Sequence, residues 1–207
     1  MEIEVKLLAK SPKSKYTEDF LTQDRANYLF SYLNSLKGWK KNEYKGYKLA
    51  RETIVFAIDE IVENPDKFKI PEIWGKDVVV MPFPEEIKEL LIHIREFTKA
   101  EYNIALGNRY LKAKDKIAFH SDNEEFGNTQ SIASLSLGVS RTFTFIAKAG
   151  DEAKHILKLK HGSLLFMGEH CQENYTHGME KERIDEHPLF KKTRINVTFR
   201  VWNYTSF

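Results

Sequence analysis

The apolar positions of this chain follow two different periods. Up to about residue 100 the clearest runs recur at helical spacing. In "TQDRANYLFSYLNSL", Ala26, Leu29, Phe30, Leu33 and Leu36 fall on one face of a helix. Thr22 stands where an N-cap belongs, and Gly38 follows as a stop. "FPEEIKELLIHIREFTKAEY" repeats the pattern with Ile87, Leu90, Leu91, Ile94 and Phe97. Pro84 and two glutamates open it, as the exposed N–H groups of a first turn favour. Between these two, "ETIVFAI" reads as a strand and "VENPDKFKIPEIWGKD", with two prolines and a glycine, as a loop. After the second helix the period shortens. "YNIALGNRY", "KIAFHSD", "SIASLSLGV", "RTFTFIAK", "HILKLKHGSLLFMG" and "TRINVTFRVW" are short alternating or apolar segments set apart by turn residues. Helices followed by such a run predict an α+β protein with a jelly-roll-like β core.

Composition narrows the picture. A chain of 207 residues, 42% of them hydrophobic, can bury one sizeable core and leaves little room for a second full domain. Aromatic residues at 13% suit a β-rich interior. The net charge of +2 permits a nucleic-acid partner without demanding one. The basic residues gather with aromatics in "KGWKKNEYKGYK", where Lys37, Lys40, Lys41, Lys45 and Lys48 alternate with Trp39, Tyr44 and Tyr47. That stretch reads equally as a phosphate track and as a solvated basic surface. With Cys171 as the one cysteine, no intrachain disulfide can form, so the expected location is intracellular, in nucleus or cytoplasm. The first residues lack the apolar stretch of a signal peptide. No window reaches the roughly 18 apolar residues of a membrane-spanning helix, so no membrane partner is expected.

The chemistry concentrates in "IAFHSDNEEF". His120 and Asp122 are two residues apart behind an apolar run. On a strand, residues i and i+2 face the same way, so both side chains can approach one ion. With a histidine from a distant strand they would form a 2-His-1-carboxylate set, which leaves positions open on Fe(II). The alternative is an ordinary polar strand end leading into an acidic turn. Distal candidates are His155, His161, His170, His177 and His187. His161 and Gly162 sit at a turn between apolar runs, where a structural role is expected. His170 beside Cys171 suggests zinc, but no second cysteine supports it. His177 is preferred because it opens a late strand and precedes "TRINVTFR" by a short hairpin length. In "RINVTFR", Arg194, Asn196, Thr198 and Arg200 alternate with Ile195, Val197 and Phe199. The polar face is either an outer surface or the lining of a jelly-roll mouth, where the arginine fork suits a carboxylate. No G-x-S-x-G elbow and no phosphate-cradling glycine loop occurs.

Taken in order, "NRY" at 108–110, "HSDNE" at 120–124, "SIASLSLG" at 131–138, "RTFTF" at 141–145, "HGSLLFM" at 161–167, His177 and "RINVTFR" at 194–200 resemble the AlkB family of Fe(II)/2-oxoglutarate-dependent dioxygenases. The details are most similar to the subgroup that repairs alkylated nucleic acid. The resemblance implies a double-stranded β-helix core over about 81–207, with N-terminal helices packed on it. It also implies an N-terminal extension and nucleotide-recognition lid over about 1–80, all in one domain. It implies that His120, Asp122 and His177 bind Fe(II). Arg194 and Tyr110 would hold the distal carboxylate of 2-oxoglutarate, with Asn108, Asn196 and Arg200 supporting its metal-proximal end. Glu124, Arg141, Arg51 and Trp74 are implied for the substrate side, Glu124 as a contact to a flipped base and Trp74 as a stacking ring. The expected activity is oxidative demethylation of bases of the N1-methyladenine and N3-methylcytosine type. The expected partner is alkylated DNA or RNA, and the expected state a monomer. Two alternatives remain: an oxygenase of this fold acting on RNA modifications, protein or a small molecule, and a non-catalytic jelly-roll binding module.

Overall fold

The computed structural model describes residues 8–44, 46–64, 74, 78–123, 127–150 and 154–202. In chain order its elements are β1 (Lys15–Thr17), α1 (Gln23–Ser35), β2 (Lys40–Tyr44), β3 (Tyr47–Ala57), α2 (Asp59–Glu63), β4 (Val80–Pro82), α3 (Glu85–Thr98), β5 (Ile104–Tyr110), β6 (Ile117–His120), β7 (Asn128–Gly138), β8 (Arg141–Ala147), β9 (His155–Leu159), β10 (Ser163–Met167), α4 (Cys171–Asn174), β11 (Tyr175–Met179) and β12 (Arg194–Val201). Among the described residues the strands form two sheets. The larger runs β1-β10-β7-β12-β5-β3-β2, with β4 beside β3, and the smaller runs β6-β11-β8-β9. Apart from the parallel β3–β4 pair, the pairings are antiparallel. This is the two-sheet jelly roll that the alternating segments predict.

The two long helices form where their caps and apolar faces place them. The Thr22 side chain accepts the Arg25 N–H at the start of α1, and Pro84 caps α3. The chain leaves α1 at Leu36, before the expected stop at Gly38. Ala26, Leu29, Phe30 and Leu33 of α1 and Ile87, Leu90, Leu91 and Ile94 of α3 are buried. They pack with Ala133, Leu135, Leu137, Ile195, Val197 and Phe199 of the large sheet in one apolar cluster. Burial of such side chains contributes roughly 1.5–3 kcal/mol each, which is what fixes the helices to this face.

The odd-numbered residues of β12 therefore face the helices, and the even-numbered ones face the small sheet. The space between the sheets has apolar flanks. One is Ile132, Phe145, Leu165, Met167 and Tyr175, and the other is Val55, Ile104, Leu106, Trp74 and Trp202. Between these flanks lies a polar strip.

The structure bears on three sequence readings. Within the stretch read as an N-terminal extension and lid, described strands join the large sheet: β1 pairs with β10 at one edge, and β3 pairs with β5 near the other. The basic-aromatic stretch is part of an antiparallel hairpin, β2–β3, whose turn includes Gly46 at φ +78. Trp39 is buried within it, donating Nε1–H to the Leu33 carbonyl and lying under the Arg109 guanidinium. Most of the loop read at 62–77, and Lys45, lie outside the described residues. Third, β11 and β12 are not a hairpin. They belong to different sheets, and residues 180–193 carry the chain from one to the other.

His161 has the structural place expected of it. Gly138 ends β7 at φ +87, where an added Cβ would run into the Thr193 carbonyl. Its N–H donates to His161 Nδ1 (2.9 Å), so the ring proton sits on Nε2 and points to Asn27 Oδ1 (3.2 Å). Burial, with His187 nearby, pushes the His161 pKa down to about 4. As pH falls below the ordinary histidine value of 6.5, the unfolded chain takes up this proton and the folded chain does not. The stabilisation is complete above that pH and is lost on the way down to about 4. His161→Gln keeps an acceptor and a donor but cannot titrate. In thermal melts from pH 7 to 4, its midpoint should fall less steeply than that of the parent; equal slopes would assign the acid lability elsewhere.

Candidate metal centre

His120 ends β6, and His177 lies directly opposite it on β11. Cross-strand partners share a sheet face, and the two imidazole centroids are 4.6 Å apart. Asp122 completes the group by a route the sequence reading did not foresee. Strand β6 stops at His120, so Asp122 sits on the following loop rather than on the same pleated face. The loop nevertheless turns the carboxylate inward, with Oδ1 3.9 Å from His120 Nε2 and Oδ2 3.8 Å from His177 Nε2. Ligating atoms of all three lie within 4.8 Å of one another. Among the described residues no other group of His, Cys, Asp and Glu comes together in this way. His161 and His170 stand apart, the latter paired with exposed Glu173.

The protonation states suit metal binding. His120 Nδ1–H donates to the Ala118 carbonyl (2.8 Å), which leaves the Nε2 lone pair for an ion. His177 is wedged between Phe143, stacked at 5.4 Å, and Phe145. Burial pushes its pKa down to about 3, outweighing the pull of Asp122, so the ring is neutral at physiological pH. Its Nδ1 is buried without a partner. Burial pushes Asp122 upward, but the Arg200 charge, aided by the two histidines, prevails and holds it at about 2. Arg200 Nη2 donates to Asp122 Oδ1 at 2.7 Å. Two imidazole nitrogens and one carboxylate, brought within 4.8 Å of one another, fit an iron(II) ion.

The polar face of β12 leads away from this cluster. Its register puts Arg194 opposite Tyr110, Asn196 between Asn108 and Ser136, and Thr198 opposite Ser134. Arg194 is buried; it donates to Ser136 Oγ at 2.9 Å and lies over the Tyr110 ring. Its Nε has no partner, and among the described residues no carboxylate pairs with it. Burial lowers its pKa only to about 10, so it remains charged. An unpaired buried guanidinium is costly, and an anionic ligand is the natural compensation. Asn196 donates to Ser134 Oγ and the Leu135 carbonyl, and accepts from Thr198. Arg51 Nε donates to Asn108 Oδ1 at 2.7 Å, which ties β3 to this floor.

The substrate-side residues divide. Glu124 lies outside the described residues. Arg141 is fully buried and spends its Nε on Glu182 and its Nη2 on the Asp115 and Glu180 carbonyls, so it braces the chain between β11 and β12. Trp74 is 4% exposed, packed edge-on against Trp202 and close to Arg200. Its own carbonyl accepts from Asn42 Nδ2 at 3.1 Å and Thr53 Oγ1 at 2.7 Å, which holds the residue against β2 and β3. The sequence reading assigned no role to Ser134 and Ser136. Their signal was the alternation in "SIASLSLG", which puts both serines on one face of β7.

Comparison with known proteins agrees with this geometry. Residues 14–200 match the 2OG-Fe(II) oxygenase superfamily. The DNA oxidative demethylase ALKBH2 of Arabidopsis thaliana is 35% identical, over 90% of this chain and 65% of its own. The alpha-ketoglutarate-dependent dioxygenase alkB homolog 3 of Mus musculus is 30% identical, over 70% of this chain and 47% of its own. The matches thus span less than two thirds of these relatives. A solved structure of OsALKBH1 superposes with a TM-score of 0.66 over 94% of this chain and 98% of that one, at 18% identity, a likeness of fold.

If His120, Asp122 and His177 hold the ion together, His120→Ala, Asp122→Ala or His177→Ala should each remove stoichiometric binding of Fe(II) or Co(II), measured by equilibrium dialysis and elemental analysis. Far-ultraviolet circular dichroism should stay near that of the parent. Retention of one equivalent by His177→Ala would assign the third ligand elsewhere.

Proposed function

The chain belongs to the 2OG-Fe(II) oxygenase superfamily, and we propose that it demethylates alkylated nucleic-acid bases, of the N1-methyladenine and N3-methylcytosine type, by oxidation. The observation that carries this reading is an unpaired, buried Arg194 on the same strand face as the arginine that grips a His-Asp-His cluster. A cation awaiting a carboxylate, placed along one polar face from a metal site, is what a dicarboxylic cosubstrate requires. The printed names of the relatives, a DNA oxidative demethylase and alkB homolog 3, support a nucleic-acid substrate.

Fe(II) with 2-oxoglutarate and dioxygen supplies the oxidation of a base N-methyl group to a hydroxymethyl group, lost as formaldehyde, with succinate and carbon dioxide as coproducts. The chain's own residues do the rest. His120, Asp122 and His177 present three donors and leave the other positions open. Arg194 and Tyr110 take the far carboxylate of the cosubstrate, and Asn108 and Asn196 line the path between. Arg200 keeps Asp122 ionised and oriented. The reacting methyl of a duplex base is out of reach, so the base arrives single-stranded or flipped, at a cost of a few kcal/mol that is least for a lesion that pairs poorly. Glu124, two residues beyond Asp122, is assigned the contact to the cationic base.

The β2–β3 hairpin offers an approach for the strand. Lys37, Lys40, Lys41 and Lys48 are exposed, and Tyr47 is 78% exposed beside the turn. Tyr47, Leu49, Arg51 and Thr53 share one face of β3, and from that face Arg51 reaches Asn108. Phosphate contacts on the hairpin are thereby continuous with the site floor.

Incubation of methylated oligonucleotides with the protein, Fe(II), 2-oxoglutarate and ascorbate should produce losses of one methyl mass, read by mass spectrometry, from N1-methyladenine and N3-methylcytosine. Succinate formation without any such loss, on single- or double-stranded DNA or RNA, would reassign the substrate. Arg194→Lys keeps the charge and loses the fork. It should raise the KM for 2-oxoglutarate by about tenfold or more, an energy of about 1.4 kcal/mol, while oligonucleotide affinity stays unchanged. An unaltered KM would place the cosubstrate elsewhere.

A further inference from the structure

Asp122 is the least supported of the three candidate ligands by regular structure. His120 and His177 are locked by the β6–β11 ladder, whereas Asp122 follows the end of β6 and has no strand partner. Its carboxylate is held by Arg200. Its main-chain N–H donates to the side-chain Oε1 of Gln172 at 2.9 Å.

Gln172 is 6% exposed and lies in α4, the single helical turn that opens on His170 at φ +63 and runs directly into β11. Among the described residues its other amide atom, Nε2, finds only the Met167 sulfur at 3.6 Å, a weak acceptor. The strong bond of this buried amide is therefore the one to Asp122. Its own carbonyl accepts from Lys148 Nζ at 2.7 Å, which fixes the turn to the end of β8. The same segment makes a second tie, as Ser121 Oγ donates to the Tyr175 carbonyl at 2.7 Å. The stretch 172–175 thus holds residues 121 and 122 by two side-chain bonds, and two residues later it becomes His177.

We propose that Gln172 is a positioning residue for the metal: by accepting the Asp122 N–H it sets the backbone from which the carboxylate reaches the ion. Arg200 fixes the carboxylate end of Asp122, and Gln172 fixes the other end. The helical turn then couples the loop ligand to the strand ligand His177, so that the donor set moves as one unit. Without the Gln172 oxygen the Asp122 N–H is left unsatisfied in a partly buried setting, and the loop can satisfy it only by turning outward. The inference rests on the metal reading of the cluster.

Two variants separate the acceptor from mere bulk. Gln172→Leu removes the oxygen at similar volume, and Gln172→Glu keeps an acceptor at the same reach. The first measurement is amide hydrogen exchange at Asp122 in the metal-free protein, which reads the bond with no metal and no turnover. The parent and Gln172→Glu should protect this amide, and Gln172→Leu should not. The second is Co(II) affinity, with the visible d–d spectrum as a report of coordination. Gln172→Leu should bind about 10–100-fold more weakly, with an altered spectrum, while Gln172→Glu recovers most of the affinity. The circular dichroism and melting midpoint of the metal-free variants check the fold. Parental affinity and spectrum in Gln172→Leu would overturn the proposal, as would an equal loss in both variants. If Gln172→Leu does not fold, rapid exchange of the Asp122 amide in the parent still overturns it. A parent protein that binds no Co(II) would instead sink the metal reading itself.

Discussion

The Arg200–Asp122 ion pair is the contact on which the rest of the site depends. It joins the last strand of the large sheet to the loop that follows the first strand of the small one, with both groups nearly out of water. Burial opposes charge on each partner. The Arg200 charge counters that burial and holds the Asp122 pKa down at about 2. Removing one partner of such a pair typically costs about 3–5 kcal/mol, because the other is stranded. The pair adds little net stability over an apolar replacement. What it contributes is a carboxylate held charged and oriented, largely out of water, beside two histidines.

That arrangement depends on a division of labour across one strand. The odd face of β12 packs Ile195, Val197 and Phe199 against the helices, and this apolar contact anchors the strand. The even face is then free to carry Arg194, Asn196, Thr198 and Arg200 into the space between the sheets. Ser134, Ser136, Asn108 and Tyr110 satisfy part of this strip from the neighbouring strands. What they leave open is informative: Arg194 Nε, Arg200 Nε and His177 Nδ1 are buried without partners. Buried donors are rarely left unpaired in a folded protein, and a cluster of them marks a place built around something else. The two guanidinium groups suit an anion, and the His120, Asp122 and His177 donor atoms beside them suit a cation, as a dicarboxylate and iron together provide.

The parts of the fold that could be read along the chain were those whose signal is local. The face of α1, its Thr22 cap, and the alternation of β7 and β12 all survive, because periodicity and capping depend on neighbours within a few residues. Strands β1 and β4 are three residues each and carry no alternation to read. The hairpin β2–β3 was hidden by its lysines, which are exposed on a sheet edge. Two readings failed for a common reason. A hairpin between His177 and β12, and a strand carrying both His120 and Asp122, each extended a local rule across a point where the chain leaves its sheet. Trp74 and Arg141 have surroundings that no local rule gives. Their residue types suit a substrate pocket, but the neighbours that fill their contacts, Trp202, Glu182 and two distant carbonyls, are set by topology.

The sequence by itself determined the α+β class, the polar and apolar faces of β12, the candidate ligands His120, Asp122 and His177, and a resemblance that placed them in one family. These follow from side-chain type and spacing, which the covalent chain carries whatever its fold. Only the tertiary structure decided that the polar face of β12 points inward. It alone brought Arg200 to Asp122 across 78 residues of sequence and, among the described residues, left Arg194 without a carboxylate. It alone set Gln172 behind the one ligand that no strand supports. Burial, ion pairing and the lack of a partner are properties of the space between two sheets, and that space exists only when both have formed.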